Sequence, residues 1–188
     1  MGQAMEGMAT KQHIHIFGAS GAGTTTIAGM VCQRLGYRHL DADDYFWLPT
    51  ANPFTEERPR GECLHMMDAD LSQNRRWVLS GSLATWGDSL IPYFDLAVFV
   101  YVPPDIRLAR LQKRELERYG NDAAHGGKRY EETQAFLAWA AAYDAGTRNG
   151  RSLPKHEAWL AGLSCKTLRI VNDDLETSVK AVMQAMVE

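Results

Sequence analysis

The chain has 188 residues, of which 45% are hydrophobic and 23% are charged, and its formal net charge is −3. This length and composition are typical of one globular domain with a sizeable core, and the slight acidity argues against a general nucleic-acid binder, which carries a basic surface. Three widely spaced cysteines, Cys32, Cys63 and Cys165, form neither a disulfide framework nor a metal knuckle and fit a reducing cytoplasm.

The ends and apolar runs of the chain carry no targeting signal. Residues 1–10 lack a basic stretch followed by an apolar core, so they predict a flexible tail and not a signal peptide. The longest apolar run, 96–102, is too short to span a bilayer. We therefore expect a cytoplasmic protein with no membrane partner, folded as a single domain over residues 11–188.

Apolar patterns predict strands and helices that alternate along the chain. The strands are predicted at 12–17, 37–41, 76–80, 95–102 and 166–171, and the helices at 24–35, 56–73, 104–118, 131–144, 154–163 and 173–187. This alternation indicates an α/β fold in which helices wrap a five-stranded parallel sheet. Two connections, 48–61 and 119–130, are rich in proline or glycine, and the second has the character of a mobile lid.

The first strand leads into a glycine-rich loop, IHIFGASGAGTTT at 14–26. Its Gly18, Gly23 and Thr25 occupy the fixed positions of the pattern G-x-x-x-x-G-K-[ST], whose backbone amides cradle phosphates. The following helix adds the partial positive charge of its N-terminus to the same place. The predicted nucleotide-binding residues of this loop are Gly18, Ala19, Ser20, Gly21, Ala22, Gly23, Thr24, Thr25 and Thr26.

Thr24 stands where the pattern has its lysine, and this leaves the neutralisation of phosphate charge open. A charge-assisted hydrogen bond contributes about 1.5–3 kcal/mol, which backbone amides and Mg²⁺ could supply in ground-state binding. The larger loss is expected in catalysis, where a fixed cation offsets charge on the transferred group. Either another basic residue fills this place, or the protein binds nucleotide and turns it over poorly.

Carboxylates follow the second predicted strand. Asp41 and Asp43 come at its end, and ligands of such sheets bind beyond the carboxyl ends of strands. If the strand continues, both side chains point the same way and could orient Mg²⁺ through water and accept a proton from a hydroxyl. The alternative is a polar turn. Gly81, at the end of the third strand, would let backbone approach a substrate, or form a simple turn.

Basic residues concentrate between 107 and 129, where seven positive and three negative side chains occur. Arg107, Arg110, Arg114 and Arg118 are spaced three or four residues apart, so they fall on one stripe of the predicted helix. A solvated face has the same pattern, but beside a phosphate loop the stripe indicates arginines that face an anion.

Four further arginines have two interpretations each. Arg58 and Arg60 flank Pro59 in the connection 48–61 and either clamp an anionic acceptor or are solvated. Arg148 and Arg151 follow the predicted lid and either move onto phosphates when it closes or are solvated.

Several segments together resemble the nucleoside-monophosphate-kinase branch of the P-loop kinases, near adenylate kinase, shikimate kinase and gluconate kinase. The segments are GASGAGTTT at 18–26, LDADD at 40–44, SGS at 80–82 and VPPDIRLARLQKRELERYG at 102–120. The stretches 37–49 and 77–81 also resemble proteins described as DNA topology modulation proteins. The resemblance implies a three-layer α/β/α P-loop NTPase fold.

The resemblance also implies roles for single residues. In shikimate-kinase-like enzymes the residue at the place of Asp41 supports Mg²⁺, and the one at the place of Asp43 contacts the acceptor hydroxyl. In adenylate-kinase-like enzymes the arginine at the place of Arg110 stacks on adenine, and the one at the place of Arg114 meets phosphates. This chain departs from the family at Thr24, and it shows no acceptor motif of any one member.

These observations predict a phosphotransferase that moves the γ-phosphoryl group of ATP, with Mg²⁺ as cofactor, to a nucleotide or hydroxylated metabolite. Thr25 holds Mg²⁺ and Asp41 supports it through water. The predicted catalytic residues are Asp43, Arg114, Arg148 and Arg151, with Arg114 as the favoured replacement for the lysine, and the predicted substrate-binding residues are Asp43, Arg58, Arg60 and Gly81. The alternatives are a non-catalytic nucleotide-binding or regulatory module and a nucleic-acid-associated protein. The acceptor and the oligomeric state stay open.

Overall fold

The structure is a computed structural model that describes residues 11–188, and the predicted tail at 1–10 lies outside the described residues. The strands are β1 His13–Gly18, β2 Arg38–Asp41, β3 Trp77–Ser80, β4 Leu96–Tyr101 and β5 Lys166–Val171. They pair in parallel in the order β2-β3-β1-β4-β5. The strand that precedes the glycine-rich loop is therefore central, and all strands end at the same edge of the sheet.

Helices connect the strands. The α-helices of residues 11–188 are α1 Thr24–Leu35, α2 Ala42–Phe46, α3 Arg60–Gln73, α4 Pro104–Tyr119, α5 Tyr130–Ala141, α6 Leu153–Ala161 and α7 Leu175–Val187. Two short 3-10 helices occupy Asp88–Tyr93 and Gly120–Asp122. None of the helices in this part of the chain is long and apolar enough to cross a lipid bilayer.

The apolar core lies on both faces of the sheet. On one face, Ile14 and Ile16 of β1 pack with side chains of α1 and α7, such as Val31 and Val182. On the other face, buried side chains of β1, β3 and β4 pack with α3 and α6. A strand that is covered on both sides is a continuous apolar run, as the sequence of β4 shows. The predicted three-layer α/β/α fold with a five-stranded parallel sheet is confirmed.

Two element boundaries near the site differ from the prediction. The helix predicted at 56–73 begins only at Arg60, because residues before Pro59 form another contact, a bridge between Trp47 and Glu57. The short helix α2 is additional. Asp41 caps it by accepting a hydrogen bond from the Asp43 amide, so the chain leaves the strand at Asp41. The strand does not continue past Asp41, so the condition for Asp41 and Asp43 to point the same way is not met, and the alternative of a polar turn that caps the next segment describes Asp41.

Candidate active site

A cavity of about 950 Å³ opens at the carboxyl edge of the sheet, a volume suited to a small-molecule ligand. Its wall combines the glycine-rich loop, the end of β2, the loops that follow β2 and β3, the inner side of α4 and part of α5. Most of the residues that the sequence assigns to a site therefore meet in one place.

The glycine-rich loop joins β1 to α1 and is held by Asn172, the residue that follows the edge strand β5. Gly23, the residue before α1, has a φ of +87°, and a Cβ there would lie 2.7 Å from Asn172 Nδ2. The positive φ is strained for any residue with a Cβ, and a Cβ would also displace the Asn172 side chain, so both facts favour glycine at this position. Asn172 Nδ2 also donates a hydrogen bond of 2.8 Å to the carbonyl oxygen of Ala22. Of the predicted loop residues, Ala22 is fully buried and all others, including Ala19 and Thr26, line the cavity.

Asp41 is held by hydroxyl and amide donors at the mouth of this loop. Its Oδ2 accepts hydrogen bonds of 2.8 Å from the hydroxyls of both Thr25 and Ser80. Its Oδ1 accepts one of 3.0 Å from the Asp43 amide. Hydroxyl and carboxylate oxygens are the ligands that Mg²⁺ prefers. Within residues 11–188, no three His, Cys, Asp or Glu side chains form a group that could hold a metal ion by themselves. A cation at Thr25 and Asp41 would therefore also need ligands from phosphate and water.

Asp43 lines the cavity and is partly buried. Burial raises the pKa of its carboxyl, and the negative charge of Asp41 adds to this effect, whereas Arg151, Arg114 and a hydrogen bond from Trp47 oppose it. The net result is a carboxylate that binds a proton more readily than an exposed aspartate. This is the property expected of a group that accepts a proton from a substrate.

The arginines of the α4 stripe do not all face the same surroundings: three line the cavity and one is buried in the core. Arg110, Arg114 and Arg118 line the cavity. Arg107 does not, since its side chain is 1% exposed, forms an ion pair with Asp144 and donates to the carbonyl oxygen of Val102. The expectation that all four arginines face an anion is therefore wrong for Arg107, which anchors α4 to the chain that follows α5.

Arg58 and Arg60, predicted as substrate-binding residues, lie outside the cavity wall. The Nε of Arg58 donates to the carbonyl oxygen of Tyr45 at 2.9 Å, and its Nη1 pairs with Glu62 at 2.7 Å. The guanidinium of Arg60 lies 5.0 Å from the centroid of the Phe46 ring. Both arginines stabilise the connection between α2 and α3.

Arg148 and Arg151 lie on a turn that precedes α6, and only Arg151 reaches the cavity. The Nη2 of Arg151 donates a hydrogen bond of 2.9 Å to the Ser20 hydroxyl in the glycine-rich loop. Burial lowers the pKa of the Arg151 guanidinium, and the charge of Asp43 opposes this shift. Arg148 is buried and stacks on the ring of Trp139, which is partly exposed.

Comparison of the sequence with known proteins assigns the chain to a family. No family model matches the chain. Over 163 residues it is 47% identical to the uncharacterized protein YqaC of Bacillus subtilis (strain 168), an alignment that covers 87% of this chain and 90% of that protein. The chain belongs to the YqaC family. It is also 28% identical over 113 residues to a cytidylate kinase of Archaeoglobus fulgidus, covering 54% of this chain and 61% of that protein.

Solved structures show that this YqaC-family member has the fold of the P-loop kinases. The shikimate kinase from Acinetobacter baumannii in complex with shikimate superposes with a TM-score of 0.57 at 16% identity, covering 97% of each chain. A gluconokinase from Sinorhizobium meliloti 1021 superposes with a TM-score of 0.54 at 15% identity, covering 93% of this chain and 91% of that one. The predicted resemblance to the P-loop kinases is confirmed at the level of the fold.

The structure of this YqaC-family chain adds aromatic residues to the cavity. The wall includes the rings of Trp47, Phe54, Tyr119 and Phe136. Trp47 belongs to the aromatic cluster 45–47 of the sequence, a pattern that indicates core more often than a pocket wall. Phe136 lies on a helical pattern that indicates core, and Phe54 and Tyr119 carry no sequence signal for a pocket. These rings give one part of the cavity apolar walls.

A buried hydrogen-bonded array also reaches the cavity through Ser82. The Ser82 hydroxyl lies 2.7 Å from His156 Nε2, and His156 Nδ1 lies 2.7 Å from the Tyr143 hydroxyl. Burial, together with the charge of Arg151, lowers the pKa of His156 to about 3, so the imidazole is neutral at physiological pH. If Tyr143 donates to Nδ1 and Nε2 donates to Ser82, every buried proton of the array has an acceptor. The Ser82 hydroxyl proton then remains available to a ligand.

Proposed function

We propose that this protein transfers the γ-phosphoryl group of ATP to a small-molecule acceptor, with Mg²⁺ as cofactor. One observation carries the proposal: the glycine-rich loop, the Thr25–Asp41 pair and the Asp43 carboxyl share one cavity. The kinase fold and the similarity to a cytidylate kinase support it.

The glycine-rich loop binds the polyphosphate of ATP. Its backbone amides and the N-terminus of α1 provide hydrogen-bond donors and partial positive charge. Arg110 lies beside the loop at the end of β5, where its Nη2 donates to the carbonyl oxygen of Asn172 at 3.2 Å. These positions support the proposal that Arg110 covers the nucleotide and that Arg114, further along the same side of α4, meets phosphate oxygens.

Thr25 and Asp41 hold the cofactor. Their oxygens, 2.8 Å apart, meet next to the loop that binds the phosphates. When it is bound, Mg²⁺ neutralises charge on the phosphates and orients them for transfer. The chain contributes the Thr25 hydroxyl as a ligand and the Asp41 carboxylate as the acceptor that orients water on the ion.

Asp43 binds the hydroxyl of the acceptor and takes its proton. The hydroxyl oxygen attacks the γ-phosphorus, the bond between this phosphorus and the bridging oxygen of ADP breaks, and the proton of the hydroxyl moves to the Asp43 carboxylate. A raised pKa suits this step because it increases the affinity of the carboxylate for the proton.

The acceptor lies between aromatic side chains. Trp47 and Phe54 form one side, with ring centroids 6.2 Å apart, and the guanidinium of Arg118 lies 4.9 Å from the Phe54 ring. A suitable acceptor therefore has a hydroxyl that hydrogen-bonds to Asp43, a flat or apolar face that packs on the rings, and an anionic group that pairs with Arg118. Both acceptor classes predicted from the sequence, nucleotides and hydroxylated metabolites, include such molecules.

A metabolite screen tests this proposal. The protein is incubated with ATP, Mg²⁺ and a cell metabolite extract, and mass spectrometry detects molecules that have gained one phosphoryl group. We expect a product with the natural protein and a loss of about 10²- to 10⁴-fold in its rate of formation with Asp43→Asn, the range typical of general acid–base catalysis. ATP affinity measured by calorimetry should be unchanged by this variant.

The matched control is Asp105→Asn, since Asp105 is an exposed aspartate outside the cavity wall and its replacement should leave the rate unchanged. A natural protein that binds no ATP at millimolar concentration in the presence of Mg²⁺ would refute the proposal.

Thr24 favours a second candidate function, a non-catalytic module that binds nucleotide for regulation. This candidate predicts ATP binding without any phosphorylated product, and an Asp43→Asn variant that behaves like the natural protein. Nucleic-acid binding receives less support, because Arg107 is committed to Asp144 and its neighbours on α4 line a cavity.

A further inference from the structure

The glycine-rich loop has no cation of its own at Thr24, but a guanidinium from a distant segment reaches it. Arg151 lies 131 residues from Ser20 along the chain, and its Nη2 donates to the Ser20 hydroxyl at 2.9 Å. Both residues line the cavity. We propose that Arg151 supplies the bound polyphosphate with the positive charge that the missing lysine provides in other P-loop proteins. This inference rests on the proposed binding of ATP.

Arg151 has hydrogen-bonding capacity left for phosphate. Its Nε is buried and has no hydrogen-bond partner among residues 11–188, and none of the ion pairs in this part of the chain includes Arg151. A buried donor without a partner destabilises the free protein. A phosphate oxygen would satisfy it, and a planar guanidinium can bind two phosphate oxygens at once.

The other arginines of the cavity are placed less well for this role. Arg114 donates to Glu115 from both Nε and Nη2, at 3.3 Å and 3.2 Å, so a carboxylate already offsets its charge. Arg110 is directed to the carbonyl oxygen of Asn172 at the end of β5. Arg118 is exposed and lies over the ring of Phe54. Arg129 also lines the cavity, but it forms an ion pair with Glu132 and lies over the ring of Tyr119. Within residues 11–188, none of these four arginines donates a hydrogen bond to the glycine-rich loop, whereas Arg151 donates one to Ser20.

Arg148 holds Arg151 in position. The Arg148 guanidinium lies 3.5 Å from the centroid of the Trp139 ring and donates hydrogen bonds of 2.7 Å to the carbonyl oxygens of Trp139 and Arg151. The backbone of Arg151 is thus tied to α5 by a buried side chain. A cation that is fixed before the ligand arrives needs little reorganisation when charge develops during transfer.

A double-mutant cycle between positions 24 and 151 tests the inference. Calorimetry measures binding of ATP, ADP and adenosine in the presence of Mg²⁺ to the natural protein, Arg151→Ala, Thr24→Lys and the double variant. We expect Arg151→Ala to weaken ATP binding by about 10- to 150-fold, as the loss of one charge-assisted hydrogen bond predicts. The effect on adenosine should be absent, because adenosine has no phosphate.

The decisive comparison is rescue. In the T24K background, Arg151→Ala should change ATP affinity by about threefold or less, since a loop lysine then supplies the charge. A purely structural role of Arg151 would not be rescued from position 24. Arg114→Ala should weaken ATP binding less than Arg151→Ala, and Arg75→Ala, an exposed arginine outside the cavity, should leave it unchanged.

The outcomes separate this inference from the proposed function. A natural protein that binds no ATP refutes both. If the natural protein binds ATP, two results refute only the role of Arg151. One is an Arg151→Ala variant that binds ATP as tightly as the natural protein. The other is a loss of ATP affinity on Arg151→Ala that is as large in the T24K background as in the natural protein. If Arg151→Ala does not fold, Arg151→Lys takes its place in the cycle. Its loss should be smaller than that of Arg151→Gln, because a charge is retained, and equal losses would overturn the inference.

Discussion

Two histidines, His15 and His156, are fully buried in the core. His15 is stacked between Phe17 and Phe94, and its Nδ1 lies 3.1 Å from the carbonyl oxygen of Leu79. Burial lowers the pKa of both imidazoles to about 3. Each is therefore neutral in the folded protein over a pH range in which an unfolded chain, with a histidine pKa of about 6.5, takes up a proton.

This difference makes the protein less stable in mild acid. Because the folded pKa values lie below the unfolded ones, the stability is fully present above pH 6.5 and is lost as the pH falls towards 3. At pH 5 the loss is about 2 kcal/mol for each histidine and about 4 kcal/mol for both. That is a large part of the free energy of unfolding of a typical domain, about 5–15 kcal/mol.

Urea unfolding at pH 7.5 and at pH 5 measures the loss. The variant His15→Phe replaces the imidazole by a ring that suits its two phenylalanine neighbours and removes a buried Nε2 that has no partner within residues 11–188. It should show about half of the natural decrease between the two pH values. His65→Gln, at an exposed position of α3, is the control and should show the full decrease. Equal unfolding free energies at both pH values, or a full decrease in His15→Phe, would show that His15 is not held neutral by burial.

Two further predictions concern charged groups around the cavity. Since the pKa of Asp43 is raised by burial and lowered by Arg151, phosphoryl transfer should decline with falling pH around a midpoint above that of an exposed aspartate, about 3.9. Arg151→Ala removes the lowering charge, so the midpoint in a pH–rate profile should move upward; a downward move would contradict the electrostatic interaction between Arg151 and Asp43. Arg107→Met leaves Asp144 without its partner, and we expect a loss of about 3 kcal/mol in urea unfolding, at the lower end of the range for buried pairs because the Asp144 side chain is 24% exposed. The double variant with Asp144→Leu should recover part of this loss, and a simple sum of the single losses would show that the two side chains do not interact.

The sheet can be predicted from the sequence because its signals are local. A parallel strand that is covered on both faces is a short apolar run, and the run 96–102 gives β4 to within one residue at each end. The glycine-rich loop is equally local, since its function depends on backbone conformations that glycines allow at fixed spacing. These features fix the carboxyl edge of the sheet as the place of the site.

The region between β2 and α3 is predicted less well because contacts between residues that are not neighbours in the sequence set its conformation. Residues 56–59 have the composition of a helix start, but the bridge between Trp47 and Glu57 and a hydrogen bond from the Leu48 amide to the Glu56 carbonyl oxygen hold them in a loop. The short helix α2 does have a local signal. Asp41 is a good N-cap residue, and its side chain satisfies the Asp43 amide.

The sequence predicts which arginines share a helix face but not which ligand each one serves. The spacing of Arg107, Arg110 and Arg114 is correct for one stripe, yet the stripe is wide enough for Arg107 to turn into the core towards Asp144. The contact between Ser20 and Arg151 joins segments 131 residues apart, and no periodicity reports it. Sequence reasoning therefore favours Arg114 for the missing charge, whereas the geometry supports Arg151.

The source of the cation matters for how the site works. A lysine at position 24 would belong to the same segment as the amides that bind phosphate, so the charge would be in place whenever the loop is folded. Phosphate binding would then depend on the structure of the loop alone. The guanidinium of Arg151 reaches the loop from a turn that Arg148 ties to Trp139. If Arg151 binds phosphate as we propose, phosphate binding and the packing of this turn are thermodynamically linked, and each stabilises the other by the same free energy. Because the same guanidinium lowers the pKa of Asp43, one residue joins the phosphate subsite to the group that accepts the proton. A lysine at position 24 could restore the charge on the phosphates without restoring that connection.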